Sequence, residues 1–399
     1  MNEFFLSKEQ RTLCQLLANV LFQSNQEIET NIDFEKVYEC AKKQATVLPS
    51  FLKLNEYSID SELKQKILSE LINQTALTAR NYSHHAYLHK LMRKHAIDYC
   101  ILKGVASAYY YPQEMSRQMG DVDFIVKKED FKRVDAILKQ EGFRAWNMHH
   151  VCHEAYSKDD MHFEMHFDFV GMPEKEHEDK VRDALQDFFK ETREVQEGMF
   201  TFVIPNDFYH GLVMLMHTQK HLIAEGFGLR HLCDWAVFIQ SIDDFEKIFK
   251  DKLQKIGLWN YATILSRACS IAFDLPNQSY MSDDFDLARK LLNDIIDGGN
   301  FGANNNQRIY ESMFITDYDR HIVNRNRPIQ FVRTMNSMIE INWPKTKQHP
   351  IFIIFGWIYF PLRRILRILL KKRAPVKLKQ AYCKSKDRKE LYEKIHLYE

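Results

Sequence analysis

The sequence predicts an α+β protein in which a small mixed sheet is flanked by N-terminal and C-terminal helical regions. Three observations carry this. Strand-like alternation is concentrated in residues 96–205, and stretches with apolar residues at helical spacing lie on both sides. The chain of 399 residues is 45% hydrophobic and 27% charged, ordinary for a folded protein long enough to hold two or three cores. The composition shifts set apart an N-terminal helical region (1–95), a mixed core (96–205), a C-terminal helical domain (206–345) and an amphipathic basic tail (346–399).

In the first region Leu13, Leu16, Leu17, Val20 and Leu21 recur at helical spacing. Asp33 is placed to cap the helix FEKVYECAKKQA, and a long helix is predicted from Asp60 to His95. In the core, Cys100–Leu102 reads as a short strand, followed by Lys103-Gly104 and a helical run, Val105–Tyr111. Val122–Val126 is a strand, and a helix with Glu129 and Asp130 at its start ends near Gly142. Strand candidates follow at 143–146, 151–156 and 162–169, then a charged helix over 174–191 and an apolar run over 200–204.

Asn206 or Asp207 caps the helix FYHGLVMLMHTQKHL, and Arg230 and Asp234 stand one turn apart in the next helix. Gly298–Asn306 reads as a loop. The apolar run Ile351–Phe360 is expected to break at Pro361, with an amphipathic helix, LRRILRILLKKR, after it. This segment is too short and too soon charged to span a membrane, which takes about 20 apolar residues. Its pattern suits either peripheral membrane contact through 351–373 or docking on its own domain. The rest of the Lys-rich tail is expected to be solvated.

Asp121 and Asp123 share one face of an otherwise apolar strand. With side chains about 7 Å apart they repel by about 2 kcal/mol at an effective dielectric near 20, so the pair calls for a cation. A second stretch, HFEMHFDF, sets His162, Glu164, His166 and Asp168 on one face and Phe163, Met165, Phe167 and Phe169 on the other. Laid beside the Asp121 strand, it lets Glu164 complete a three-carboxylate site for a hard cation. Gly104, at a strand-to-helix junction, lets a phosphate approach the backbone.

Strand, Gly turn, helix, Asp-x-Asp and a later third carboxylate resemble the nucleotidyltransferase superfamily of DNA polymerase beta. More narrowly, LKG, Tyr111-Pro112, Arg117 four residues before Asp121 of GDVDFIV, and FEMHFDF resemble a family of uncharacterised bacterial nucleotidyltransferases. The likeness covers the centre of the chain well and its flanks loosely. It departs from the superfamily at Val105 and Ala106, where Gly or Ser usually follows the glycine turn; Ser107 is the next hydroxyl.

The resemblance implies transfer of a nucleoside monophosphate from an NTP, with ATP expected, to an acceptor hydroxyl. Asp121, Asp123 and Glu164 would hold magnesium, with manganese as a substitute. Lys103 and Arg117 are candidate phosphate contacts, and His166 would orient carboxylates or meet the acceptor. In the following helices His221 and Arg230 are assigned to nucleotide or acceptor. Plainer roles for these residues are an Arg230–Asp234 helix pair and packing of His217 with His221. Rival chemistries are a zinc hydrolase using His149, His150, Cys152, His153, His162 and His166, a glycosidase using Asp123 and Glu164, and an inactive ligand-binding protein on the same fold.

A formal charge of +1 argues against a dedicated duplex-binding protein, and makes a small molecule or protein the favoured acceptor over nucleic acid. Seven scattered cysteines without a Cys-x-x-Cys suggest reduced thiols and a cytoplasmic setting. The first residues lack the basic and apolar blocks of a secretory signal.

Overall fold

Side-chain caps set where the first helices begin. Ser7 and Gln10 form a reciprocal capping box at α1 (Lys8–Leu21), and Asp33 caps α2 (Phe34–Gln44). After the single turn α3 (Val47–Ser50), Asp60 accepts from two backbone N–H groups at the start of α4 (Ser61–Lys94). The computed structural model describes residues 6–398 apart from 30, 114, 147–151, 174, 306, 317–325, 348, 350, 371–374 and 376.

The mixed region then runs β1 (Tyr99–Ile101), α5 (Val105–Ala108), β2 (Val122–Val126), α6 (Phe131–Gln140), β3 (Arg144–Trp146), β4 (His153–Lys158), β5 (Met161–His166), α7 (Lys175–Leu185), β6 (Thr192–Glu197) and β7 (Phe200–Pro205). Five strands form a sheet in the order β1-β2-β5-β4-β3, in which only β2 and β5 run parallel. β6 and β7 form a separate hairpin. The sequence reading missed β6, because TREVQE holds one apolar residue and lacks the alternation that marks a strand.

Helices complete the chain: α8 (Asp207–Ile223), α9 (Leu229–Ser241), α10 (Phe245–Lys255), α11 (Trp259–Phe273), α12 (Phe285–Gly298), α13 (Arg308–Ser312), α14 (Arg327–Asn342), α15 (Phe352–Leu369) and α16 (Leu378–Ile395). The protein is thus α+β, a small mixed sheet with helices on both sides of it in sequence. Two apolar cores hold it. One lies on the sheet, where Val122, Phe124 and Val126 meet Tyr82 and Leu88 of α4 and Val134 and Leu138 of α6. The other joins α1 to α3 with α8 to α12 and α16, through residues such as Leu17, Phe51, Trp235, Leu265 and Tyr392. α4 ties the two together, with Leu63 and Ile67 in one core and Tyr82 and Leu88 in the other.

Two expectations for the C-terminal part are corrected. Pro361 does not break the apolar run: α15 passes through it. Proline removes one ladder hydrogen bond, but this helix is held from the side, Gly356 packing so closely on Ile339 of α14 that a Cβ would lie 2.4 Å from it. The tail is also not solvated throughout. Ala381, Ser385, Arg388, Leu391, Tyr392 and Ile395 recur at helical spacing and bury one face of α16, leaving most of its lysines outside.

Candidate active site

The parallel pairing of β2 with β5 sets Asp123 directly opposite Glu164 and Ile125 opposite His166. Carboxylates from neighbouring strands thereby share one face, at the wall of a cleft of about 1580 Å³. The opposite walls come from α8, α9, the Asn300-Phe301 turn and α13 to α15. That volume exceeds the roughly 300–1,000 Å³ of a single small-ligand site, so two ligands have room together.

Asp123 is buried and accepts from Lys103 Nζ at 2.8 Å, while His166 Nε2 lies 3.2 Å from the same oxygen. Burial pushes the Asp123 carboxyl up, but Lys103 and His166 outweigh it and hold the group well below the usual carboxylate range. Glu164 shows the opposite balance: desolvation and then the Asp123 charge raise it to about 7. Burial lowers His166, which keeps it neutral and able to act as a ligand. Asp121, exposed at the cleft rim just before β2, is raised by desolvation and by Asp123.

Donor atoms of Asp123, Glu164 and His166 lie within 4.8 Å of one another, and so do those of Cys152, His153 and His166. The first set, two carboxylates and an imidazole, fits a hard divalent ion better than the second. Of the histidines considered for zinc, His149 and His150 lie outside the described residues and His162 is exposed. Asp168 falls beyond β5 and pairs with Arg182 at 3.0 Å.

Gly104 lines the cleft with φ +59°, a conformation that favours glycine. Its missing side chain leaves room for a protein group: a Cβ would stand 2.8 Å from His85 Nε2. Ser107 is buried in α5 and borders the cleft. Asn81 of α4 donates to the Gly120 carbonyl and so fixes the backbone just before Asp121.

Arg117 spends its Nε and Nη2 on Asp234, both at 2.7 Å, and Tyr111 donates to the same carboxylate at 2.8 Å. All three are buried, so Tyr111 and Arg117 clamp the sheet region to α9. The helix pair between Arg230 and Asp234 therefore does not form, because Asp234 is occupied. Arg230 instead lines the cleft near the Phe301 ring, and its Nε lacks a hydrogen-bond partner among the described residues. Burial and the repulsion of Arg117 pull its guanidinium down to about 10.

His221 Nδ1 donates to Glu225 at 2.9 Å, and its Nε2 lies 2.9 Å from His217 Nε2. Burial lowers both imidazoles, and a neutral pair of tautomers satisfies the chain. Sequence reading did not single out His85 or Asn81. Both sit on α4, and no spacing in the sequence links that helix to the glycine turn.

No curated protein and no solved structure matches the chain. Residues 30–273, more than half of the chain, match the model of a family described as uncharacterised nucleotidyltransferase. Asp121, Asp123, Glu164, His166 and Arg230 all lie within that match, and the chain belongs to this nucleotidyltransferase family as a transferase of nucleotidyl groups.

Proposed function

We propose that this protein moves a nucleoside monophosphate from an NTP, with ATP the expected donor, to an acceptor hydroxyl in a magnesium-dependent reaction. The observation that carries the reading is the Asp123–Glu164 register, which gathers two carboxylates and His166 on one wall of a cleft shared with Lys103 and Arg230. Asp123, Glu164 and His166 would hold the ion, with Asp121 at the cleft rim as a further carboxylate and manganese as a substitute. A divalent ion bound there supplies positive charge to the triphosphate and to the attacking oxygen.

The chain's own groups do the rest. Arg230, a half-buried cation whose buried Nε lacks a partner among the described residues, takes a phosphate oxygen. Lys103, at the Gly104 turn, offsets the Asp123 charge before ligand arrives. Ser107 and His221 border the nucleotide or acceptor. The acceptor oxygen forms a bond to the α-phosphorus, the bond from that phosphorus to the β-phosphate bridge breaks, and pyrophosphate leaves. The hydroxyl proton goes to Glu164, which lines the cleft beside Asp123 and serves as the general base.

Calorimetric titration of ATP, GTP, CTP and UTP, with magnesium, with zinc and with neither, tests this on the wild type and on Asp123→Asn. Magnesium-dependent binding of one NTP, weakened about tenfold or more by the substitution, supports it. A folded wild type that binds no NTP sinks it, and tighter response to zinc than to magnesium moves the site to the Cys152, His153 and His166 set.

A further inference from the structure

α15 is apolar where it faces outward. Ile354, Ile358, Leu362, Leu366 and Leu369 are each more than half exposed, and Phe352, Phe355, Tyr359 and Ile365 are exposed beside them. At 100° per residue these nine positions fall within about 160° of the helix circumference, and no charged residue interrupts them. The docked side lies opposite. There Gly356 meets Ile339, Trp357 Nε1 donates to Asn336 at 2.7 Å, and Arg364 lies over the Tyr310 ring. A helix bound to its own domain ordinarily turns polar residues outward. This one does the reverse.

Charge distinguishes the occupant of that face. Between Glu340 and Asp387 the sequence holds twelve Lys and Arg and no Asp or Glu, although the whole chain carries only +1. A second copy would set this basic segment against itself, whereas an anionic surface complements it. No helix among the described residues is long and apolar enough to cross a membrane. We infer that α15 lies along an anionic lipid bilayer, with its outward apolar face in the headgroup region and its flanking basic residues on the lipid charges.

Phe360, Ile365 and Ile368 of the same helix line the cleft, so docking brings the cleft close to the lipid. The inference does not depend on nucleotidyl transfer, and its test reads no catalysis.

The experiment is flotation of the full chain with vesicles of phosphatidylcholine alone or mixed with phosphatidylglycerol, together with sedimentation velocity without lipid. The variant carries Ile354→Ser, Ile358→Ser and Leu362→Ser, exposed positions outside the cleft lining, so its melting temperature and NTP binding should match the wild type. The expected result is salt-sensitive flotation with the anionic vesicles that falls about tenfold or more in the variant. Three outcomes overturn the inference: no flotation of the folded wild type, equal flotation of the variant, or a wild-type dimer that the variant converts to monomer.

Discussion

At the scale of single residues, the two facing carboxylates differ because only Asp123 has the Lys103 ammonium within hydrogen-bond reach. Asp123 takes both Lys103 and His166, whereas Glu164 meets His166 and His153 only at 3.8 and 3.9 Å. The pH dependences follow with opposite signs. Glu164 has a raised folded-state pKa, so its contribution to stability is present below its ordinary value of 4.5 and is lost as pH rises to about 7. Asp123 has a lowered one, so its contribution is present at neutral pH and is lost in acid. Bound metal must displace the Glu164 proton, and magnesium affinity should fall by up to about tenfold per pH unit below 7. Calorimetry from pH 5 to 8 checks this; Glu164→Gln should flatten the profile, and an unchanged profile would remove Glu164 from the site. Gly104→Ala combines a positive φ with a close approach to His85 and should cost about 1–3 kcal/mol in urea unfolding.

At the scale of elements, the decisive contacts join segments distant in sequence. Arg117 and Tyr111, in the segment between α5 and β2, grip Asp234 on α9 and hold the helical wall of the cleft to the sheet. Removing one partner leaves a buried charge unpaired, so Asp234→Ala should destabilise by about 3–5 kcal/mol. Replacing both, as Arg117→Met with Asp234→Leu, should cost clearly less than that single change. Chemical denaturation of the two variants decides it, and equal losses would show that the clamp is not the cause. Two caps were readable beforehand, since Asp33 and Asn206 stand just before apolar periodic runs and each accepts a backbone N–H. β6 and the passage of α15 through Pro361 were not, because both depend on neighbours: β7 pairs with β6, and Ile339 packs against Gly356.

At the scale of the whole molecule, the C-terminal helix secures the helices around the cleft. Arg388 of α16 donates to the carbonyls of Leu222, Ile223 and Ala224 at the end of α8, and pairs with Glu311 at 3.1 Å. Tyr392 donates to Leu222 at 2.7 Å. These groups satisfy carbonyls that a helix end leaves open, on the helix that carries His217 and His221. Arg388→Ala should therefore lower stability by about 3 kcal/mol or more and speed amide exchange at the end of α8, measured by hydrogen exchange. Unaltered exchange there would separate α16 from the cleft.

The sequence by itself determined the α+β class, the Asp-x-Asp strand and the alternating strand that carries Glu164 and His166. Those are local properties, written in side-chain period and in the cost of unpaired carboxylates. Tertiary structure decided the rest. Parallel register brought Glu164 to Asp123, and occupation of Asp234 by Arg117 turned Arg230 toward the cleft. Packing also filled the glycine turn with His85 and docked α16. Each of these outcomes is a competition for one partner among groups far apart in the chain, and no local period records which competitor wins.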